Sequence, residues 1–327
     1  MEPHGRRRPG RLRLILAVTV TVAVSGALAV AGVTYLERSA GPPSGRARDR
    51  TSARPVSATA PAPPGWTTTN DQLEVDGMTR RYLLVRPQVV STTPLPVVVV
   101  LHGRTVTPEI EEQRTGFPGV VGRAILVYPA GYQASWNAGA CCAGAQSAGV
   151  DDVTFIEDVV HQVLASQRDA AAGQVFLVGF SNGGKMAFRL TCAAPGLFAG
   201  FAVVGAVPVS VCPHPPAIPF TELAFDNDPL LTLAPAQPHR RLNGFVEASI
   251  EEQVAFQRGV NACSPAGGAQ VRGSLTVTTW TACASRKPVQ LALYQGNTHM
   301  WPAGDATTPS AERVLWEFFG STMEGRR

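Results

Sequence analysis

A serine lies between small residues in segment 179–183, which reads Gly-Phe-Ser-Asn-Gly. A serine hydroxyl is a weak nucleophile until a neighbouring base takes its proton. A sharp turn between a buried strand and a helix projects the hydroxyl from the sheet, and glycines on either side let the backbone pack closely there. Residues 175–178 have the composition of a buried strand, and residues 183–191 are typical of a helix. This setting predicts that Ser181 is a nucleophile that attacks a carbonyl carbon.

A serine nucleophile on such a turn needs a histidine base and an acid, which follow it along the chain in the order Ser, Asp, His. His299 lies in a loop just after the last predicted strand and is our prediction for the base. His214 and His239 are competitors, but both lie in Pro-rich loops before that strand. Asp228 is our prediction for the acid, and Asp226, two residues earlier, is the alternative.

The remaining parts of such a site stabilise the developing oxyanion and enclose the substrate. The backbone N–H of Asn182 and that of Arg104 are the predicted oxyanion donors, and Thr105 is the alternative to Arg104. Trp136 and Trp301 are candidate substrate-binding side chains, and a position in the core is the alternative for each.

The elements that must position these residues are strands alternating with helices. A hairpin of strands 72–76 and 79–86 turns at Asp76-Gly77. Further strands are predicted at 95–101, 124–128, 175–178, 199–207, 220–225 and 289–294, and helices at 152–167, 183–191 and 311–319. This alternation predicts an α/β fold with a mostly parallel central sheet flanked by helices, in a single catalytic domain at 66–322.

The N-terminal region differs in composition from the rest of the chain. Five arginines precede residues 14–33, which contain no charged residue, so residues 1–36 are predicted to be a signal peptide or membrane anchor that directs export. Residues 37–65 are rich in Pro, Ala, Ser and Arg and are predicted to be a disordered linker. The N-terminal segment is the only predicted contact with a membrane, and the protein is expected outside the cell or at its surface.

Charge and cysteine content narrow the classes of function. Residues 1–65 contain ten arginines and three acidic residues, and the remainder has 18 basic and 21 acidic residues, so the predicted domain shows no bias toward nucleic acid.

Six cysteines suit an oxidising compartment, with Cys263 and Cys283 predicted to pair and the connectivity of the other four open. No C-x-x-C spacing occurs, and we predict neither a metal nor a cofactor.

Several segments together resemble the family of secreted α/β-hydrolases that includes polyhydroxybutyrate depolymerases and feruloyl esterases. The resemblance covers about residues 75–320. The matching pieces are Leu101-His102-Gly103, Tyr128-Pro129, Trp136-Asn137-Ala138-Gly139 with Cys141-Cys142, Val150-Asp151-Asp152-Val153, residues 179–184 and His299-Met300-Trp301-Pro302. The Trp-Asn and His-x-Trp-Pro pieces are far more specific than the serine motif alone.

The resemblance implies the α/β-hydrolase fold and ester hydrolysis, without metal or cofactor, by a triad of Ser181, Asp228 and His299. The implied substrates are polyhydroxyalkanoate, hydroxycinnamoyl or acetyl-polysaccharide esters. Lys185 departs from the family pattern, which has Met there, and we expect it to pair with a nearby acid such as Asp151. Two alternatives to ester hydrolysis are the function of an acyltransferase of the cell envelope and that of an inactive, surface-binding homologue.

Overall fold

The computed structural model describes residues 62–324. The predicted leader at 1–36 and nearly all of the predicted linker at 37–65 lie outside these residues. Within the part of the chain that is described, no helix is long and apolar enough to cross a membrane.

Twelve strands and seven α-helices make up the described chain. The strands are β1 Trp66–Val75, β2 Met78–Pro87, β3 Leu95–Leu101, β4 Ile125–Pro129, β5 Ala170–Phe180, β6 Gly200–Val204, β7 Phe220–Phe225, β8 Arg241–Leu242, β9 Phe245–Val246, β10 Gly268–Arg272, β11 Leu275–Trp280 and β12 Val289–Tyr294. The helices are α1 Pro108–Thr115, α2 Pro118–Val121, α3 Ala143–Ala148, α4 Asp152–Ser166, α5 Asn182–Ala193, α6 Ile250–Val260 and α7 Ala311–Glu324.

Ten of these strands form one sheet in the order β1-β2-β4-β3-β5-β6-β7-β12-β11-β10, and β8 and β9 form a separate hairpin. The six central strands, β4, β3, β5, β6, β7 and β12 in spatial order, are parallel to one another. Antiparallel strands complete both edges. The prediction of a mostly parallel sheet in an α/β fold is confirmed. The carboxyl ends of β5, β7 and β12 lie along one edge of this sheet, where the loops that follow them can meet.

Helices cover both faces of the sheet, and each face has its own apolar core. On one face the core includes Phe155 of α4, Met186 of α5 and Val254 of α6. On the other face it includes Phe176 of β5 and Phe319 of α7, whose rings stack with their centroids 4.4 Å apart. Burial of the central strands on both sides explains their continuous apolar sequences, which lack the alternation of half-exposed strands.

The predicted elements agree with the observed ones most closely in the central sheet. The predicted bounds of β3, β7 and β12 match the structure. The predicted hairpin is present, and its turn residues Asp76 and Gly77 have φ of 49° and 73°, the left-handed values that a two-residue hairpin turn requires. The hairpin β8–β9 and the helices α1, α2, α3 and α6 were not predicted. None of these elements contains the predicted nucleophile, base or acid.

Three disulfides link the six cysteines. The predicted pair Cys263–Cys283 is present, and the connectivity left open by the sequence is Cys192–Cys212 and Cys141–Cys142.

Candidate active site

Ser181 lies at the turn between β5 and α5 with φ of 53° and ψ of −115°. This is a strained conformation for a residue with a side chain, and such strain is concentrated at functional sites. The turn is possible because its neighbours are glycines: a Cβ on Gly179 would overlap the carbonyl of Gly183, and one on Gly183 would overlap that of Leu101. The N–H of Ser181 donates to Val204 O over 2.9 Å, which fixes the turn against β6.

The three predicted catalytic side chains lie in one hydrogen-bonded row. Ser181 Oγ is 2.8 Å from His299 Nε2, and His299 Nδ1 is 2.7 Å from Asp228 Oδ2. A carboxylate accepts only, so Nδ1–H donates to Asp228 and Nε2 is left to accept the serine proton. The side chain of Asp228 is only 4% exposed and that of His299 13%. The row is therefore largely shielded from water and in a geometry suited to proton transfer from the serine.

The structure separates the two candidate acids by their partners. Asp228 Oδ1 accepts the backbone N–H of Leu230 over 2.7 Å, which leaves Oδ2 directed at His299. Asp226 is exposed, and its Oδ1 accepts the N–H of Gly296 over 2.8 Å. Asp226 thus connects the loop after β7 to the loop after β12, which contains His299. It does not contact the imidazole.

The competing histidines are exposed. His239 Nε2 lies 3.1 Å from Glu252 Oε2, and neither His214 nor His239 lines the cavity beside Ser181.

The imidazole of His299 is packed closely on one side. Its centroid lies 5.3 Å from that of Phe180 and 6.3 Å from that of Phe225. Gly205 has φ of 61°, and a Cβ there would lie 3.1 Å from His299 Cε1. A glycine at 205 therefore provides both the backbone conformation and the space that the histidine needs.

The predicted oxyanion donors have free backbone N–H groups. No hydrogen bond within residues 62–324 uses the N–H of Asn182 or that of Arg104, and both residues line the cavity with Ser181. Asn182 is the first residue of α5, where N–H groups lack partners within the helix and the helix dipole favours negative charge. The alternative donor Thr105 is already engaged, since its N–H donates to Ala134 O over 2.8 Å.

Trp136 does not line the cavity, and its predicted role as a substrate-binding residue is corrected here. The side chain is fully buried, and its indole N–H donates to His102 O over 2.8 Å. Its backbone N–H donates to Asn182 Oδ1, and its carbonyl accepts from Asn182 Nδ2. Trp136 therefore connects the β3 loop, which contains Arg104, to the start of α5. The family-like Trp-Asn segment is structural support for the site.

The segment around Trp136 is itself held by a buried ion pair. Asp152 Oδ2 accepts the N–H of Asn137 over 2.7 Å, and its Oδ1 lies 2.7 Å from the guanidinium of Arg80. Asp151 has a different role, since its side chain accepts the N–H of Thr154 and caps α4.

Trp301 is likewise a core residue, 6% exposed, and its predicted substrate contact is also corrected. Its ring meets those of Phe180 and Phe117 edge to face, and its N–H donates to Glu312 Oε2 on α7. Trp301 thus anchors the loop of His299 to the helix layer. Apolar aromatic contacts favour this position because a large ring gains more by burial than by facing a wet cavity.

A cavity of about 340 Å³ opens beside Ser181 and His299. The segment between β7 and α6 supplies one side, including Leu230, Leu231 and Leu242, and the disulfide Cys141–Cys142 supplies another. The side chain of Asn243 joins these sides, because its amide nitrogen donates to Ala140 O over 2.9 Å and to Gln146 Oε1 over 3.2 Å.

Lys185, in the first turn of α5, also lines this cavity. It pairs with Glu247, just before α6, and the expected pairing with Asp151 is wrong. Burial lowers the pKa of Lys185, although Glu247 opposes the shift. The sequence could not identify this partner because it lies 62 residues away in a segment without regular structure.

Within the described residues, no group of three or more His, Cys, Asp or Glu side chains is placed to hold a metal ion.

Comparison with known proteins identifies the class. No protein-family model matches the chain. The chain is 29% identical over 261 residues to NocK of Nocardia uniformis subsp. tsuyamanensis, named provisionally as an esterase, covering 73% of this chain and 75% of that protein. It is 29% identical to feruloyl esterase D of Neurospora crassa over 60% of this chain and 61% of that enzyme. With feruloyl esterase C of Emericella nidulans the identity is again 29%, over 61% and 65%. The chain thus spans less than two thirds of both fungal enzymes.

Among solved structures, an acetyl xylan esterase from Aspergillus awamori superposes with a TM-score of 0.53 at 15% identity. The match covers 77% of this chain and 99% of that one, which shows a shared fold. The fold is that of the α/β-hydrolases. The chain is similar to feruloyl esterases of this fold, and its class is that of the carboxylic ester hydrolases.

Proposed function

We propose that this protein is an exported serine esterase that hydrolyses carboxylic esters through Ser181, His299 and Asp228. The observation that carries the proposal is the row of hydrogen bonds from Ser181 through His299 to Asp228 beside an open cavity. The strained turn at Ser181 and the free N–H groups of Asn182 and Arg104 support it.

Each group has a defined task in the proposed reaction. His299 Nε2 takes the proton of Ser181 as Oγ bonds to the ester carbonyl carbon, and the carbonyl electron pair moves onto oxygen. The N–H groups of Asn182 and Arg104 donate to that oxyanion. As the carbonyl re-forms, the bond to the alcohol oxygen breaks and His299 returns the proton to the leaving alcohol. Water, activated by His299, then attacks the acyl-enzyme and releases the acid and Ser181.

Asp228 acts through His299. Its carboxylate keeps the proton on Nδ1, so that Nε2 is free to accept, and it stabilises the imidazolium that forms during attack.

The proposed substrates are hydroxycinnamoyl, acetyl-polysaccharide and polyhydroxyalkanoate esters. Relatives named feruloyl esterases and a structural neighbour named acetyl xylan esterase support the first two. Export is supported by three disulfides, which persist in oxidising compartments, and by the arginines that precede the uncharged run at 14–33.

Replacement of the nucleophile tests the proposal. We expect Ser181→Ala to reduce kcat on p-nitrophenyl butyrate by about 10³-fold or more, because the triad acts as a unit. A fluorophosphonate probe should add mass to the parent chain and not to the variant. Ser264→Ala is the matched control, because Ser264 is exposed and lies outside the cavity. Unchanged hydrolysis by Ser181→Ala, with the fold intact by circular dichroism, would overturn the proposal.

A further inference from the structure

The cavity beside Ser181 has an excess of positive charge. Its charged lining residues are three bases and one acid: Arg104, Lys185, Arg240 and Glu247. Lys185 and Glu247 neutralise each other in their ion pair. The guanidinium groups of Arg104 and Arg240 form no ion pair with a carboxylate within residues 62–324. Two arginines are therefore available to a ligand in the cavity.

Arg240 is held in place at the base of the β8–β9 hairpin. Its carbonyl accepts the N–H of Glu247 over 2.9 Å, so its backbone is fixed next to the buried ion pair. Arg240 and Lys185 line the same cavity, and the positive charge of Arg240 adds to the larger effect of burial in lowering the pKa of Lys185. Because Glu247 is already paired with Lys185, it does not balance the charge of Arg240.

The lining also has an apolar part, beside the uncharged polar side chains of Ser181, Asn182, Asn243 and His299. Leu230, Leu231 and Leu242 come from the same β7–α6 segment as Arg240. A ligand that matches this lining has an apolar body next to the leucines and an anionic group near the arginines. Arginine favours carboxylates because its planar fork can donate two parallel hydrogen bonds to the two oxygens.

We propose that this cavity binds esters that carry a free carboxylate at a distance from the scissile bond, and that Arg240, with the side chain of Arg104, recognises this carboxylate. The inference rests on the proposed function and adds a substrate class to it. A neutral acetyl or alkyl ester would use the leucines alone. An ester with an anionic end group would use both parts of the cavity.

Matched substrates test the inference. On the acyl side, mono-p-nitrophenyl adipate is compared with p-nitrophenyl hexanoate, which has the same number of acyl carbons and no charge. On the alcohol side, 4-acetoxybenzoate is compared with 4-acetoxybenzamide. The quantity measured is the ratio of kcat/KM for the charged ester to that for its neutral match. We expect this ratio to be about ten in at least one pair, since hydrogen bonds between ionised partners are about twice as strong as neutral ones.

Variants at Arg240 show whether this residue is the source of the preference. Arg240→Gln should reduce the ratio of the preferred pair by about tenfold, and Arg240→Glu should reverse the preference. Arg241→Gln is the matched control: Arg241 is the next residue, exposed and outside the cavity lining, and its variant should keep the parent ratio. About 1 M NaCl, at which the Debye length is about 3 Å, should weaken the preference.

Two results would overturn the inference: ratios near one for both pairs in the parent chain, or a ratio that Arg240→Gln and Arg240→Glu leave unchanged. These results differ from a failure of the proposed function. In that case Ser181→Ala would retain hydrolysis of both neutral and charged esters. A parent chain that requires Ser181 but shows no preference for charged esters contradicts only the carboxylate recognition.

Discussion

Asn182 and Trp136 exchange two hydrogen bonds, from Trp136 N to Asn182 Oδ1 over 2.8 Å and from Asn182 Nδ2 to Trp136 O over 3.0 Å. The indole of Trp136 extends the connection to His102 O on the β3 loop. The two proposed oxyanion donors are Asn182, at the start of α5, and Arg104, in the β3 loop, which lie 78 positions apart in the chain. Trp136 joins the segments that contain them. Asn182, which follows the proposed nucleophile, is thus positioned by its own side chain as well as by the helix.

Loss of the indole N–H should impair turnover more than substrate binding. In Trp136→Phe the buried carbonyl of His102 loses a donor, and the β3 loop can shift relative to α5. We expect kcat to fall by about tenfold with little change in KM, and the free energy of unfolding to fall by about 2 kcal/mol. Trp280→Phe is the matched control, because its indole donates to Pro265 O and lies outside the cavity. Equal losses of kcat in both variants would contradict a positioning role for Trp136.

The choice between the two aspartates is testable by amide replacement. Asp228→Asn removes the acceptor that holds the His299 proton on Nδ1, so kcat should fall by about 10⁴-fold. Asp226→Asn keeps an oxygen that can accept the Gly296 N–H, so kcat should fall by less than about tenfold. Steady-state kinetics with p-nitrophenyl butyrate measures both. A larger loss in Asp226→Asn than in Asp228→Asn would reverse the assignment.

Removing one partner of the Lys185–Glu247 ion pair should lower the free energy of unfolding more than replacing both partners with apolar residues. Lys185→Met leaves the carboxylate of Glu247 buried without its partner, and the free energy of unfolding should fall by about 3 kcal/mol. In the double variant Lys185→Met/Glu247→Leu no charge is left buried, and most of this loss should be recovered. Urea unfolding with intact disulfides measures the free energy of unfolding of the parent chain, the single variant and the double variant. A double variant as unstable as Lys185→Met alone would contradict this account.

The parts of the fold and site that sequence predicts well are those governed by local patterns. Buried parallel strands are continuous apolar runs, so the bounds of β3 and β7 follow from composition. The turn at Ser181 needs glycines at fixed spacing because other residues would overlap the backbone of the turn and of β3. The expected order of nucleophile, acid and base along the chain predicted Ser181 and His299 and left Asp226 as the alternative to Asp228, and the structure joins Ser181, His299 and Asp228 by hydrogen bonds at the carboxyl ends of three strands.

Features that depend on distant contacts were predicted less well. A tryptophan has an apolar ring and a polar N–H, so its sequence context alone does not separate a cavity wall from a core position, and both Trp136 and Trp301 were misplaced. The partner of Lys185 lies beyond four further strands, in a segment with weak patterning. Such pairings are set by tertiary structure, which periodicity does not encode.

Glu222, on β7, is fully buried, and both of its carboxylate oxygens lack a hydrogen-bonding partner. Burial raises its pKa well above the usual range, Lys185 opposes the shift, and Asp228 adds to it. The folded chain therefore binds a proton that the unfolded chain releases above about pH 4.3, so this residue makes the free energy of unfolding fall as pH rises toward the raised pKa.

Glu222→Gln removes the titration and keeps the shape of the side chain. Its stability relative to the parent chain should increase with pH, by at most about 1.4 kcal/mol per unit, in thermal or urea unfolding between about pH 5 and 8. Glu251→Gln, on the exposed side of α6, controls for loss of a carboxyl group. If the advantage of Glu222→Gln over the parent chain stays constant across this range, Glu222 is not the protonated group that its burial requires.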